Sequence, residues 1–316
     1  MNLALTLLAS AGTLGWMWPR FFARIRHRLQ PHTALALWPV TQSLFVLLVV
    51  AAAIALALPA RTAEHLASLL GSCWELLAHG SPQASETIAG ASAGLLVGAV
   101  LVRIFYLARR ERVRQKTLRD KYVGALHLAG TQKPEHPGVW WLETDTPVAF
   151  CVAGKNPTVG ASTGLFNHLT ADEVGAVLAH ERAHARFRHH TLILWAESVG
   201  RTLPCVPLFA HSPSMVRELA EQAADAEAAL DHGHLVVASA LRTMSAIPAP
   251  APAPSQILEM VSGTVTTRLE RLCAEAYRHP RRRHSVQVGT LLGCAMAVPL
   301  VGGCVAALAM YAFSCT

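Results

Sequence analysis

Residues 170–190 of this chain read TADEVGAVLAHERAHARFRHH, and this stretch predicts an amphipathic helix. Thr170 and Glu173 have the spacing of a capping box, in which each side chain accepts a hydrogen bond from the backbone N–H of the other residue. Small and apolar residues then recur at helical spacing. His180 and His184 belong to the pattern His-Glu-x-x-His. Because four residues make slightly more than one helical turn, both imidazoles point the same way and can bind one metal ion.

The residue types of this pattern suit a catalytic zinc ion. Neutral imidazoles bind Zn²⁺ at about 2.0–2.1 Å, and a catalytic zinc site keeps one position open for water. Glu181 lies about 100° around the helix from His180, where it is a poor ligand but can reach that water. We expect Glu181 to act as the general base and then to deliver the proton to the leaving amine. The alternative is a chance match in a chain with 16 His, so a third ligand has to decide.

A third ligand has two candidate sources. In the longer pattern His-Glu-x-x-His-x-x-Gly-x-x-His, a glycine breaks the helix so that the last His can swing back to the metal. His190 stands at that last position, but Phe187 replaces the glycine. We therefore expect an unbroken helix that runs to about Gly200, with His190 far from the metal.

The other source is a second helix, predicted over residues 215–230 by its Ala- and Glu-rich sequence. Pro213 near its start and Gly233 just after its end fit the rules for helix boundaries. Glu221 and Asp225 are four residues apart and share one face. Glu221 can complete the metal ligands, and Asp225 can bind the second ring nitrogen of a ligand His. A surface helix is the alternative, but the pairing with His-Glu-x-x-His favours the metal site.

The composition is that of a membrane protein, with 52% hydrophobic and 15% charged residues. Four apolar runs predict membrane spans, at residues 1–18, 36–58, 87–108 and 286–313. The clusters of Arg and Lys all fall on one side of such a bundle, which the positive-inside rule makes cytoplasmic. Both termini and the outer loop, residues 59–86, then fall outside. For the first run a signal peptide is the alternative, but its basic residues would precede the apolar core.

A dense basic stretch, residues 109–121, follows the third run. Nucleic-acid binding is one interpretation of such a stretch. The stretch adjoins a span and contains no aromatic residue, so the positive-inside rule explains it better. We therefore expect membrane lipid, and no nucleic acid, as the partner of this stretch.

The predicted soluble domain, residues 109–285, contains three short strand-like segments, at 139–142, 148–152 and 158–162. An edge strand beside the helix of the His-Glu-x-x-His pattern can hold an extended peptide backbone by strand addition. A small structural sheet is the alternative.

The end of this domain contains alternating Ala and Pro at residues 246–255, which predict a stiff extended linker. An amphipathic helix is predicted after it, at residues 265–277. Its Arg268 and Arg271 can face an acidic partner, but we expect them on a solvated face.

The two histidines followed by Glu221-x-x-Ala224-Asp225 resemble the gluzincin metalloproteases. The residues around His-Glu-x-x-His, together with Pro147-Val-Ala-Phe-Cys, are similar to membrane-embedded zinc proteases of the BlaR/MecR antibiotic-sensor type. The resemblance covers about residues 122–272 and the arrangement of spans. It implies Zn²⁺ bound by His180, His184 and Glu221, with Glu181 as catalytic residue and Asp225 behind a ligand His.

We therefore predict a mainly α protein of a bacterial plasma membrane. A four-helix transmembrane bundle would carry a cytoplasmic gluzincin domain of zincin-like α+β fold between its third and fourth spans. The domains are the membrane region at 1–108, the protease domain at 109–285 and the fourth span at 286–316. The resemblance implies regulated proteolysis, in which the domain cuts a cytoplasmic protein such as a transcriptional repressor.

The resemblance has one departure and leaves two other functions open. The sensors carry an extracellular penicillin-binding domain after the last span, whereas this chain ends at Thr316. We therefore expect the signal to come from a separate sensor protein, from the outer loop or from the spans. One alternative is a membrane-protein quality-control protease of the HtpX type. The other is a non-catalytic receptor or scaffold that retains the zinc site.

The sequence leaves several properties of the protein undetermined. They are the substrate, its cleavage site, the activating signal and the oligomeric state. Cys73 and Cys315 both fall outside in the predicted topology, but nothing fixes the distance between them. The residue that stabilises the oxyanion is also open, with four candidates: His211, His232, His234 and Tyr277.

Overall fold

The computed structural model describes residues 2–57, 84–152, 157–247 and 265–276. The predictions for most of the outer loop, for most of the Ala/Pro linker, for Tyr277 and for the fourth span lie outside these residues. So does the pairing of Cys73 with Cys315.

Helices dominate the described residues, and they are numbered here in chain order. They are α1 (Asn2–Ile25), α2 (Pro31–Ala57), α3 (Ala84–Ala129), α4 (Ala171–Arg186), α5 (His189–Thr202), α6 (Pro207–Ala210), α7 (Ser212–His232), α8 (His234–Ala246) and α9 (Val265–Ala276). Short 3₁₀ turns occupy Arg26–Arg28 and Thr163–Asn167. The single helix α3 contains both the third apolar run and the basic stretch, and its 46 residues extend roughly 70 Å.

One small mixed sheet accompanies the helices in the described residues. Its strands are β1 (Gly130–Gln132), β2 (Val139–Leu142), β3 (Ala149–Val152) and β4 (Thr158–Ser162), in the order β1-β2-β4-β3. β2 and β4 are parallel, and the other two pairs are antiparallel. The three strands predicted from the sequence are therefore confirmed. Helix α4 packs on the sheet through Val174 and Leu178, in a core shared with Val139 and Trp141.

The first two helices share a hydrophobic core with the helices that follow the zinc motif. Trp18 of α1 and Trp38 of α2 are wholly buried in a cluster that also contains Leu219 of α7. The indole N–H of Trp38 donates to Ser212 Oγ over 3.1 Å. Gln42 Nε2 donates to the same hydroxyl over 3.0 Å. The N-terminal helices are thus joined directly to α7, the helix that carries Glu221.

In the described part of the chain, one stretch has the length and hydropathy needed to cross a membrane, Pro31–Ala55. It contains most of the second predicted span. The first and third predicted spans are helical, as parts of α1 and α3. The four-span bundle stays a prediction.

The prediction of one unbroken helix from the zinc motif to Gly200 is wrong. Helix α4 ends at Arg186, and α5 begins at His189. Arg188 between them has a left-handed backbone conformation, with φ 51° and ψ 41°. This conformation costs a non-glycine residue roughly 1–2 kcal/mol, which is why sequence rules expect glycine there. The apolar face of α5 packs in the core of α1, α2 and α7, and this burial offsets the strain.

The helix boundaries read from capping residues are confirmed. Thr170 and Glu173 form the complete capping box at the start of α4. Pro213 is at the start of α7, and Gly233 ends it with a φ of 80°, a value that glycine adopts without strain. Helix α9 also lies where the amphipathic pattern predicted it.

Candidate metal centre

The candidate ligands come from two helices that lie side by side, α4 and α7. The Nε2 atoms of His180 and His184 are 3.1 Å apart. The Glu221 carboxylate closes the triangle, with Oε2 3.3 Å from His180 Nε2 and Oε1 3.4 Å from His184 Nε2. Three donors at about 2.0–2.1 Å from a tetrahedral Zn²⁺ would be separated by roughly 3.3–3.4 Å. The donor atoms therefore lie at the spacing that one zinc ion requires.

Small side chains let the carboxylate reach the imidazoles. Ala176 of α4 packs with Ala228 of α7 in one buried cluster. Within α7, Ala220, Ala223 and Ala224 around Glu221 are also wholly buried. Alanine allows close approach of neighbouring elements without a large side chain between them. The alanines of α7 thus allow it to pack closely against α4, in addition to favouring the helix itself.

The electrostatics of Glu221 also fit a cation. Its carboxylate is buried, and Oε2 completes no hydrogen bond of normal geometry in the described residues, although Arg268 Nη1 lies 3.0 Å away. Burial alone would raise the pKa of Glu221, but His180 at 3.3 Å and the nearby positive charges lower it to about 2. An ionised, buried carboxylate is costly unless it is paired with positive charge or bound to a metal. The residues present therefore suit a divalent cation with nitrogen and oxygen ligands.

Asp225 lies behind His180, on the side away from the other candidate ligands. Its Oδ1 is 3.0 Å from His180 Nδ1. An ionised carboxylate only accepts, so Nδ1 carries a hydrogen, and Nε2 is the ring atom through which His180 would bind a metal. The structure thus brings Asp225 to the place that the spacing of α7 predicted.

Arg268 of α9 is buried, so the expectation that it faces solvent is wrong. Its Nε donates to Asp225 Oδ2 over 2.6 Å, and its Nη2 donates to Oδ1 over 2.7 Å. Burial alone would raise the pKa of Asp225, but the adjacent guanidinium holds it well below its usual range. A helical pattern shows which residues share a face, but it does not show that the carboxylates of Asp225 and Glu221 lie opposite the face that carries Arg268. Arg268 is therefore a site residue that sequence analysis missed.

Glu181 is buried beside the candidate ligands. Burial raises its pKa to about 7, and the nearby negative charge of Glu221 acts in the same direction. The backbone N–H of Cys151, on β3, donates a hydrogen bond to the carboxylate. A carboxyl group with a pKa near 7 can accept and release a proton at neutral pH.

The edge strand expected beside the zinc helix is β3. It pairs with β4 on one side and, in the described residues, with no strand on the other. Its Cys151 contacts Glu181, and burial raises the pKa of the Cys151 thiol to about 12, so the thiol is neutral. β3 therefore lies where a peptide added along its free edge would pass Glu181.

His189 is the second residue that sequence analysis missed. It is wholly buried, and its Nδ1 lies 3.1 Å from Nδ1 of His184. Burial lowers the pKa of His189 to about 3, so the ring is neutral. The sequence analysis considered His190, which the structure leaves half-buried and outside the candidate ligand set. No helical pattern pairs positions 184 and 189, because the contact depends on the break at Arg188.

The three described candidates for oxyanion stabilisation have partners elsewhere. His211 Nδ1 lies 2.8 Å from the carbonyl oxygen of Pro207. The ring of His232 packs against Gly175. His234 faces Glu275 at 3.6 Å. The structure gives none of these three residues a role in the metal centre.

Two histidines on α4, a glutamate on α7 and the buried acid Glu181 beside them define a site of the metallopeptidase class. Consistent with this site, residues 112–249 match the model of Peptidase family M48. That segment contains the candidate ligands, Glu181, Asp225 and His189. Arg268 lies beyond it.

The chain is also similar to curated proteases over a shorter region. Over 65 residues it is 42% identical to Protease HtpX from three Legionella pneumophila strains, namely Corby, Lens and Philadelphia 1. The aligned region is 20% of this chain, and the chain spans about a fifth, 22%, of the length of these relatives. The family match and the site together indicate a metallopeptidase domain. The finer resemblance to BlaR/MecR sensors stays a prediction.

Proposed function

We propose that this chain is an integral-membrane zinc endopeptidase, with Zn²⁺ held by His180, His184 and Glu221. The observation that carries the proposal is the triangle of donor atoms at 3.1, 3.3 and 3.4 Å, the spacing of three ligands on one tetrahedral ion. The match to a peptidase family over residues 112–249 supports it.

The residues of the site divide the reaction among them. Zn²⁺ held by His180, His184 and Glu221 would supply a Lewis acid that polarises the scissile carbonyl and lowers the pKa of the attacking water. Glu181 takes a proton from that water and then transfers it to the nitrogen of the leaving amine as the C–N bond breaks. The free edge of β3 holds the substrate backbone by strand addition. Asp225 keeps His180 oriented, with Nε2 towards the ion.

The substrate is a protein on the cytoplasmic side of a bacterial plasma membrane. This part of the proposal is supported by the basic residues of α3, which adjoin its apolar half and indicate the cytoplasmic face. Regulated cleavage of a cytoplasmic protein such as a transcriptional repressor follows from the resemblance to antibiotic sensors. Membrane lipid is the expected contact of the apolar helices, and a separate sensor protein is one source of the signal.

A second candidate is a membrane-protein quality-control protease. The 42% identity to proteins named Protease HtpX over 65 residues favours it. Both candidates use the same chemistry and differ in their substrates. One defined protein would be cut in regulated proteolysis, whereas many damaged membrane proteins would be cut in quality control.

The test of the activity is Glu181→Gln in the full chain. Gln keeps the shape of the side chain but cannot accept the proton, so we expect proteolysis to fall by about 10²–10⁴-fold. Zinc content, measured on purified protein, should stay at the wild-type level because Glu181 is not a ligand. Glu143→Gln, at an exposed position, is the matched control and should leave proteolysis unchanged. Equal proteolysis in wild type and Glu181→Gln would refute the proposal.

The same pair of variants separates the candidate functions in cells. Fragments that disappear in Glu181→Gln cells are identified by mass spectrometry of protein termini. A single vanished cytoplasmic fragment supports regulated proteolysis, and many vanished membrane-protein fragments support quality control. Bound zinc with no fragment lost would instead favour the non-catalytic receptor or scaffold.

A further inference from the structure

The two ring nitrogens of His184 face opposite surroundings. Nε2 faces Glu221 and His180, at 3.4 and 3.1 Å. Nδ1 faces Nδ1 of His189, at 3.1 Å. Where no cation is held between them, two ring nitrogens at this distance form a hydrogen bond in which one donates and the other accepts.

The metal ligands decide which nitrogen is the donor. His184 can bind an ion through Nε2 only if that atom keeps its lone pair, so its hydrogen is on Nδ1. Nδ1 of His184 therefore donates, and Nδ1 of His189 accepts. The hydrogen of His189 is then on Nε2, an atom that is buried and has no hydrogen-bond partner in the described residues.

We propose that His189 is a positioning residue for the metal centre, holding His184 in the tautomer and orientation that present Nε2 to the ion. The inference rests on the metal centre of the proposed function. It adds a residue that neither the helical pattern nor the candidate ligand set contains.

The break between α4 and α5 places His189 there. In a continuous helix residue 189 would lie about 140° around the axis from His184, because five residues turn the helix by about 500°. The left-handed conformation of Arg188, at φ 51°, redirects the chain instead. A strained residue next to the centre therefore has a defined consequence, which is the contact between the two imidazoles.

Aromatic packing keeps the His189 ring in place. Phe187 is stacked with it, at 5.9 Å between centroids and 17° between planes. On α2, His32 packs against the same Phe187 ring at 4.8 Å. The wholly buried ring has little freedom to rotate away from His184. The N-terminal helices thus contribute, through His32, to the orientation of a candidate ligand.

Three substitutions at residue 189 separate hydrogen bonding from packing. His189→Leu fills the space without an acceptor. His189→Asn places an amide oxygen near the position of Nδ1, so it can still accept from His184. His189→Gln places its amide near the position of Nε2 and misses His184. The control is His190→Leu, at the half-buried neighbour outside the candidate ligand set.

The measurement is zinc affinity of the full chain in detergent, by competition with a chromogenic chelator. Loss of an outer partner of a ligand His costs about 10–100-fold in metal affinity, so we expect that loss for Leu and Gln. Asn and the His190→Leu control should stay near the wild-type value. The visible spectrum of the Co²⁺-loaded protein should change with Leu and Gln and be restored with Asn.

Two outcomes would overturn the inference. If Leu, Gln and Asn bind zinc equally, the hydrogen bond does not position His184. If all three lose affinity equally, His189 acts through packing alone. Neither result depends on proteolysis, so failure of the inference is distinguishable from failure of the proposed activity. Wild type that binds no zinc would remove the metal centre, and both proposals with it.

Discussion

The two histidines of the candidate metal centre are supported in opposite ways. His180 contacts Asp225, an ionised carboxylate that Arg268 holds by two hydrogen bonds of 2.6 and 2.7 Å. His184 contacts His189, a neutral ring stacked with Phe187. One support is a buried charge network, and the other is a neutral acceptor beside an aromatic ring. A charged residue therefore orients His180, and a neutral residue orients His184.

This difference indicates which substitutions should destabilise the metal centre most. Glu221 and Asp225 lie one helical turn apart, and Arg268 reaches both, at 3.0 and 2.6 Å. Removal of the Arg268 guanidinium leaves two buried carboxylates close together. Removal of His189 leaves one neutral N–H without a partner. Because a buried unpaired charge costs more than a buried unpaired neutral group, the charged support should fail more severely.

The largest effect is expected for Arg268→Met. The variant removes the guanidinium that pairs with the buried carboxylates of Asp225 and Glu221 and leaves Asp225 with its contact to His180 alone, so we expect the free energy of unfolding to fall by about 3–5 kcal/mol. Chemical denaturation of the detergent-solubilised protein measures it. Arg242→Met, at an exposed position of α8, is the control and should change little. Equal stability of the two variants would show that the charge network contributes nothing.

A double substitution sharpens this result. Arg268→Met combined with Asp225→Leu leaves no unpaired charge at this pair, so much of the stability lost in Arg268→Met should return. Zinc affinity should not return, since His180 then lacks its acceptor. A double variant less stable than Arg268→Met alone would contradict the charge explanation.

A smaller effect is expected for His189→Leu. It removes a neutral acceptor and leaves the Nδ1–H of His184 unsatisfied, at a cost of about 1–3 kcal/mol in the free energy of unfolding. The same denaturation experiment measures it. A loss as large as that of Arg268→Met would remove the distinction between charged and neutral supports.

In the metal-free protein, mild acid should weaken the contribution of His189 to stability before that of Asp225. The pKa of His189 is about 3 in the fold and about 6.5 in an unfolded chain, so acid favours unfolding between these values. The contribution of His189 to the free energy of unfolding is present above pH 6.5 and is lost as the pH falls towards 3. The pKa of Asp225 is held well below its usual range, so its support persists until the pH is below about 4.

The measurement is the stability gap between wild type and His189→Leu at pH 7, 6 and 5. The gap should narrow by up to about 1.4 kcal/mol for each pH unit below 6.5. Leu235→Ala, at an exposed position of α8, is the control; it removes no titratable group and should give a gap that does not change with pH. A gap for His189→Leu that is constant with pH would show that the ring is not held neutral by the fold.

The smallest effect is expected at a surface ion pair on the His184 side. Arg186 Nη1 donates to Glu227 Oε1 over 2.7 Å, but the arginine side chain is 72% exposed. Solvent screens such a pair, so Arg186→Met should lower stability by only about 0–1 kcal/mol. A fall of several kcal/mol in the free energy of unfolding of Arg186→Met would contradict this and show that charge also stabilises the His184 side.

Local sequence patterns predicted much of the fold around the site. The capping box at Thr170 marks the start of α4, and Gly233 marks the end of α7. The three predicted strands are present, and they were predicted from short runs of strand-favouring residues. These features depend on residues a few positions apart, where helix and strand geometry constrain the side chains directly. The roles proposed for the ligand residues stay to be tested by experiment.

The sequence by itself determined which side chains share a face: His180 with His184 on one helix, and Glu221 with Asp225 on another. Only the tertiary structure decided that His189 and Arg268 join them. His189 arrives through a left-handed residue that is not glycine, and no sequence rule anticipates that conformation. Arg268 is 43 positions beyond Asp225, and its contact depends on how α9 packs. Periodicity describes one element at a time, whereas burial and pairing depend on elements that meet only in the folded chain.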